Sequence, residues 1–178
     1  FLPAMVIGVF AHGFIKTVLF SPWVVSTMLV IGGIAILVIE RYRPKPIVPE
    51  VDAIRPGLAL GIGLCQAVAM IPGVSRSGAT IMGAMLLGVS RAAATEFSFF
   101  LAIPTLIGAG VYDAWKYRDL LSMQDIPMFA VGLSFAFVSA LACVHWLIRW
   151  IASHDFRVFA WYRIAFGLVV LLSAWTGV

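Results

Sequence analysis

Long continuous apolar runs, broken by short polar or proline-containing segments, set the pattern of this chain. Trp23 to Ile39 is an unbroken apolar run of 17 residues, about the minimum that crosses a hydrocarbon core as a helix. Arg91 to Tyr112, Pro127 to Ile148 and Val158 to Val178 are each long enough to cross, the first with a loosening expected at Pro104. Residues 1 to 20 are apolar apart from His12 and Lys16 and are expected to hold the end of a further span. Polar connections fall between these runs, the clearest at 40–56, where Glu40-Arg41-Tyr42-Arg43-Pro44-Lys45-Pro46 opens the loop. The runs do not alternate, which argues against a membrane barrel.

The centre of the chain departs from this pattern. Gly57 to Ile71 and Ala79 to Ser90 hold only 15 and 12 residues, too few to span at about 1.5 Å per residue. Between them lies Pro72-Gly73-Val74-Ser75-Arg76-Ser77-Gly78-Ala79-Thr80. Two half-length helices around a proline and glycine break predict a re-entrant hairpin over 57–90 with 72–80 at its tip. Non-helical backbone at membrane depth is tolerated where it is buried in protein or lines a wet cavity, so the loop should face such a cavity.

Composition places all of this in a membrane. Of 178 residues 62% are hydrophobic and 11% charged, with a mean hydropathy of +1.05, which excludes an ordinary soluble domain. The expectation is an all-α, polytopic integral membrane protein with 1–178 as one membrane domain. The net charge of +4 is concentrated in the connections and reads as topology and lipid-headgroup contact, not nucleic-acid binding. If the hairpin returns to its own side, Arg41, Arg43, Lys45, Arg55, Arg91, Arg149 and Arg157 share one face against Lys16, Lys116 and Arg118 on the other. That bias makes the first face cytoplasmic and points the hairpin tip toward the outer half of the membrane.

The candidate chemistry centres on Arg76. An arginine within a bilayer costs roughly 2.5 to 3.5 kcal/mol on insertion scales, so it faces a polar cavity with a partner. Phosphate suits it, because guanidinium binds phosphate in a bidentate, charge-assisted way. Arg76 and Ser75 are the candidate catalytic residues. Gly73, Ser77, Gly78, Thr80 and Gln66 are the candidate substrate-binding set, with Ala79 opening a helix whose free N–H groups face the anion. Ser75 reads better as a ligand than as a nucleophile, since no adjacent histidine is visible to activate it. Ser77 and Thr80 serve equally as helix caps, and Gln66 serves equally as an interhelical contact. Glu96 suits a helix N-terminus, with pairing to Arg163 as the alternative; Arg163 is close enough to the membrane edge to snorkel. Cys65 and Cys143 read as packing residues, and no metal set forms with the three histidines. The tryptophans fall near span ends, as interfacial belts do.

Further motifs then join the loop. Pro72 to Thr80, followed by Gly88-Val89-Ser90-Arg91-Ala92-Ala93-Ala94-Thr95-Glu96-Phe97-Ser98-Phe99, then Asp125-Ile126-Pro127-Met128-Phe129-Ala130-Val131-Gly132 and finally Tyr162-Arg163, closely resembles the bacterial undecaprenyl-diphosphate phosphatase family of the bacitracin-resistance type. The similarity runs over essentially the whole chain. It implies a multi-pass enzyme of the bacterial inner membrane that removes the terminal phosphate of undecaprenyl diphosphate and so recycles the lipid carrier of cell-wall synthesis. It also implies two inverted-topology repeats, each with a re-entrant hairpin, and a site between their tips that opens outward. Arg76 would hold the diphosphate and Ser75 would lie in the active site.

One part of the family pattern is missing. The family's first motif, with paired glutamates and a serine-rich loop ending in Gly-His, is not found in these 178 residues. Its histidine is a proposed nucleophile or base, and its glutamates are proposed acid/base or metal-binding groups, which leaves a divalent cation such as magnesium or calcium open as a cofactor. The chain is therefore expected to lack the family's N-terminal part, to bind diphosphate poorly and hydrolyse it little or not at all alone, and to need that segment in cis or in trans. The expected partners are a polyprenyl diphosphate lipid and membrane lipids, with a homodimer left open. A lipid-phosphate flippase of the same fold, binding the headgroup without chemistry, is the alternative.

Overall fold

A computed structural model describes residues 2–15, 19, 21–120 and 122–176, the side chains of 9, 11–14, 120 and 152 excepted. Seven α-helices order these residues: α1 (Leu2–Phe14), α2 (Pro22–Tyr42), α3 (Pro56–Ala67), α4 (Arg76–Leu86), α5 (Arg91–Lys116), α6 (Ile126–Ser153) and α7 (Arg157–Thr176). Segments within Pro22–Tyr42, Arg91–Lys116, Met123–Ile151 and Arg157–Thr176 are long and apolar enough to cross a membrane. The outward faces of these helices carry large exposed apolar side chains, among them Leu133, Phe135, Val169 and Leu172. Such a surface is stable against lipid and not against water. The sequence expectation of an all-α polytopic membrane protein is met.

Local chemistry explains where the helices begin. Ser21 accepts from the Val24 N–H at 3.3 Å ahead of Pro22, and Ser90 accepts from the Ala93 N–H at 3.2 Å ahead of α5. These side chains satisfy N–H groups that the helix itself leaves free. Pro104 sits inside α5 without ending it. α1 packs beside α3, with Pro3 against Gly63. The sequence reading of Lys16 and of the His12 side chain lies outside the described residues.

α2 and α7 run antiparallel in close contact. A Cβ on Gly33 would come within 2.7 Å of the Ala160 carbonyl and 2.6 Å of Ile164, so only glycine allows the helices this near. The core sits below, where Ile36 of α2, Ile62 of α3, Met85 of α4, Ala94 of α5 and Ala160 of α7 are all buried together.

α3 and α4 form a hairpin, and the end of α4 is tied to the loop that follows α2. Ile47 and Val48 N–H groups donate to the Gly88 carbonyl at 2.7 and 3.0 Å, and the Ser90 N–H donates back to Val48 at 2.9 Å. The Ser90 hydroxyl donates to Pro49 at 2.7 Å. The same end holds a buried carboxylate: Glu40 accepts from Arg91 at 2.8 and 3.1 Å and from the Phe156 N–H at 3.1 Å. The end of α2, the loop after it, the start of α5 and the start of α7 therefore meet on one face. Arg43 and Arg91 both lie against Glu40 there, and Arg157 opens α7 beside it.

Candidate active site

The hairpin turn lies far from its feet. Gly73 packs against the backbone of Val25, and Val25 is 15 residues along α2 from Glu40, about 22 Å at helical rise. Gly73 adopts φ +91°, a left-handed conformation that disfavours any residue with a Cβ. A Cβ there would also collide with the Val25 carbonyl. The turn is thus pressed onto α2 with backbone alone.

α4 starts at Arg76, three residues before the expected Ala79. Ser75 is the N-cap: its Oγ accepts from the Gly78 N–H at 3.1 Å, and its carbonyl accepts from the Ala79 N–H at 2.9 Å. The expectation that N–H groups after Gly78 face an anion is therefore corrected, because those donors bond within the helix. Among the described residues, the N–H groups left without a partner at this terminus belong to Arg76 and Ser77. These are the first-turn donors that favour a negative charge.

Ser75, Arg76, Ser77 and Gly78 line one cavity of about 520 Å³ with Thr95, Ser98, Tyr162 and Arg163, over apolar walls that include Ile81, Phe99 and Phe156. The Ser75 and Ser77 hydroxyls lie 3.2 Å apart. Among the described residues the Arg76 guanidinium makes no ion pair and no hydrogen bond. Arg76 also borders a second cavity of about 520 Å³ between α1, α3 and α5, where Gln66, Met70 and Tyr112 join it. Gln66 is thus brought beside Arg76 but on the other side of it from the serines. Thr80 is buried, and its hydroxyl donates to the Arg76 carbonyl at 2.8 Å, so it faces its own helix and lines neither cavity.

Arg163 is where sequence reasoning fell short. In place of snorkelling to the near edge, its guanidinium crosses Gly32 of α2 and donates to the Gly73 carbonyl at 2.9 Å. Gly32 leaves the room, since a Cβ would stand 2.7 Å from the Arg163 terminal nitrogen. The Arg163 Nε is buried without a partner. Among the described residues neither Glu96 nor any other carboxylate pairs with it. The signal was available, because the desolvation argument applied to Arg76 holds equally for an arginine inside the last span.

No group of three or more histidine, cysteine or acidic side chains comes together among the described residues. The cavity lining offers hydroxyls and two guanidinium groups but no carboxylate. It therefore lacks the oxygen-rich acidic set that magnesium or calcium prefers.

A multi-pass helical protein with a half-length hairpin, whose turn brings into a cavity an arginine without a partner among the described residues, is the class that fold and geometry define. The chain matches the family described as Bacitracin resistance protein BacA over residues 1–169 and belongs to that family. It is 58% identical over 178 residues to an undecaprenyl-diphosphatase of Acidovorax ebreus (strain TPSY), covering 99% of this chain and 65% of the relative. The corresponding protein of Variovorax paradoxus (strain S110) gives the same identity and coverage. That of Polaromonas sp. (strain JS666 / ATCC BAA-500) is 58% identical over 182 residues, covering 100% of this chain and 66% of the relative. The chain thus spans 65% of the length of the first of these relatives.

Proposed function

We propose that this chain forms the headgroup-gripping part of a membrane phosphatase that converts undecaprenyl diphosphate to undecaprenyl phosphate. The observation that carries the reading is the unpaired Arg76 guanidinium beside two hydroxyls on the wall of an otherwise largely apolar cavity. The names of the relatives support the substrate. In phosphoryl transfer the protein mainly positions groups and stabilises charge that shifts between oxygens. Arg76, the Ser75 and Ser77 hydroxyls and the free N–H groups of Arg76 and Ser77 perform that task here, while the apolar walls take the polyprenyl chain.

Ser75 has no histidine or carboxylate hydrogen-bonded to it among the described residues. The base or nucleophile then comes from the family's glutamate and Gly-His motif, supplied in cis or in trans. Any divalent cation would take its carboxylates from the same source. The basic face around Glu40 is cytoplasmic by the charge bias, so the hairpin is re-entrant from that side and its turn lies toward the outer half of the membrane.

The test is phosphate release from undecaprenyl diphosphate in membranes where the chain is expressed with the family's N-terminal segment. Arg76→Ala should lower the rate by roughly a hundredfold or more, the scale of losing a preorganised charge donor, with Arg76→Lys intermediate. Wild-type release by Arg76→Ala ends the reading. Movement of labelled lipid between leaflets without phosphate release would replace hydrolysis with transport.

A further inference from the structure

We infer that Arg163 is the second cation of the anion site and the residue that selects a diphosphate over a monophosphate, an inference that rests on the reading of Arg76 above. Both guanidinium groups line the cavity of about 520 Å³, and no acidic residue is among its lining. Within this chain the cavity presents two guanidinium groups and no carboxylate, so an anion that enters meets two positive charges. One phosphate monoester would leave part of that charge unanswered, whereas two linked phosphoryl groups can meet one guanidinium each.

The placement of Arg163 divides the work. One terminal nitrogen, Nη2, is held by the Gly73 carbonyl at 2.9 Å, while the other, Nη1, makes no hydrogen bond among the described residues. The side chain is therefore anchored to the turn yet keeps a terminal donor free. Arg163 also borders an apolar cavity of about 340 Å³ that it shares with Ser75 and Gly78, walled by Ile31, Val68 and Met82 among others. Arg76 does not line that cavity. A lipid whose first isoprene units occupy it presents its lipid-linked phosphate to Arg163 and its terminal phosphate to Arg76 and the serines. Arg163 thus holds the phosphate that remains on the product, and Arg76 the one that leaves.

Binding of inorganic pyrophosphate and of inorganic phosphate to the chain solubilised in detergent together with the family's N-terminal segment tests this without requiring turnover. With wild-type Arg163, pyrophosphate should bind at least tenfold more tightly than phosphate. Arg163→Gln should lower pyrophosphate affinity by about tenfold or more, the loss of a charge-assisted contact, and leave phosphate affinity within about twofold. Arg163→Lys keeps a cation near Gly73, guards against loss through misfolding, and should retain a preference between the two. An unchanged ratio in Arg163→Gln, or equal weakening of both anions in Arg163→Gln and Arg163→Lys, overturns the inference and leaves Arg163 a brace for the turn. Arg76→Gln should weaken both anions; if it weakens neither, the reading of the turn itself fails, whatever Arg163 does.

Discussion

Glu40 and Arg91 are joined by two parallel hydrogen bonds of 2.8 and 3.1 Å across 51 residues of sequence, and the same carboxylate caps the Phe156 N–H at 3.1 Å. The Glu40 side chain is only 3% exposed. One buried carboxylate therefore ties α2, α5 and the start of α7 at the feet of the hairpin. Removing one member of a buried pair leaves the other uncompensated, which typically costs about 3 to 5 kcal/mol. Arg91→Ala should destabilise on that scale, because it leaves the buried carboxylate only the Arg43 guanidinium at 3.9 Å. Glu40→Ala leaves a guanidinium that is 20% exposed and can turn to water, but it also removes the acceptor of the Phe156 N–H, so its cost should be similar. The double variant should lose less than the two single losses added, a coupling that unfolding in detergent can measure. Strict additivity would show that the pair is not an energetic unit.

Ser75 and Ser77 sit two residues apart and should behave differently. Ser75 caps α4, so Ser75→Ala should cost about 1 kcal/mol of stability and weaken anion binding as well. Ser77 is exposed and bonds only to the Ser75 hydroxyl among the described residues, so Ser77→Ala should stay within about 0.5 kcal/mol while still weakening the anion. Ser75→Asp separates the two roles. It keeps an acceptor for the Gly78 N–H, so stability should return, but its charge opposes an anion, so binding should not. Thermal unfolding and pyrophosphate titration on the same samples check both halves.

The layers of this molecule differ in how plainly they stand in the sequence. Span existence follows from run length and hydropathy, which act locally, and the break at Pro72-Gly73 needs no partner to be seen. Gly78 is a poor helix former, so local propensity favours a start at Ala79; the Ser75 cap overrides that weak preference and starts the helix at Arg76. Thr80 looked like a ligand by its place in the motif, yet helical rotation turns it to bond the Arg76 carbonyl. For Arg163 the need for a partner is legible, since it lies inside a span, but its direction is not. Which way a long side chain runs depends on a gap at Gly32 in another helix, and such a gap has no signature in the residues around position 163.

Gly73 tests how far the turn depends on its backbone geometry. Its φ of +91° and its contact with Val25 make Gly73→Ala costly twice over, by at least about 1 to 2 kcal/mol for the conformation alone. The displaced carbonyl would also release Arg163. The variant should therefore show lower stability and a lower ratio of pyrophosphate to phosphate affinity together. Full retention of that ratio in a destabilised Gly73→Ala chain would uncouple the turn from Arg163.

Gly33 carries the same logic to the α2 and α7 interface, one turn from the anion site. An added Cβ meets the Ala160 carbonyl at 2.7 Å and Ile164 at 2.6 Å, and a backbone carbonyl cannot swing aside as a side chain can. Gly33→Ala must push the helices apart, and overpacking of this kind typically costs about 1 to 3 kcal/mol. Because Ile164 follows Arg163 directly, separation of the helices also draws the guanidinium away from Gly73. Gly57→Ala is the control, since nothing lies within 4 Å of a Cβ built there. Unfolding in detergent should rank Gly33→Ala well below Gly57→Ala, with only the former weakening pyrophosphate. Equal stability of the two variants would mean that close approach of α2 and α7 does not hold this fold together.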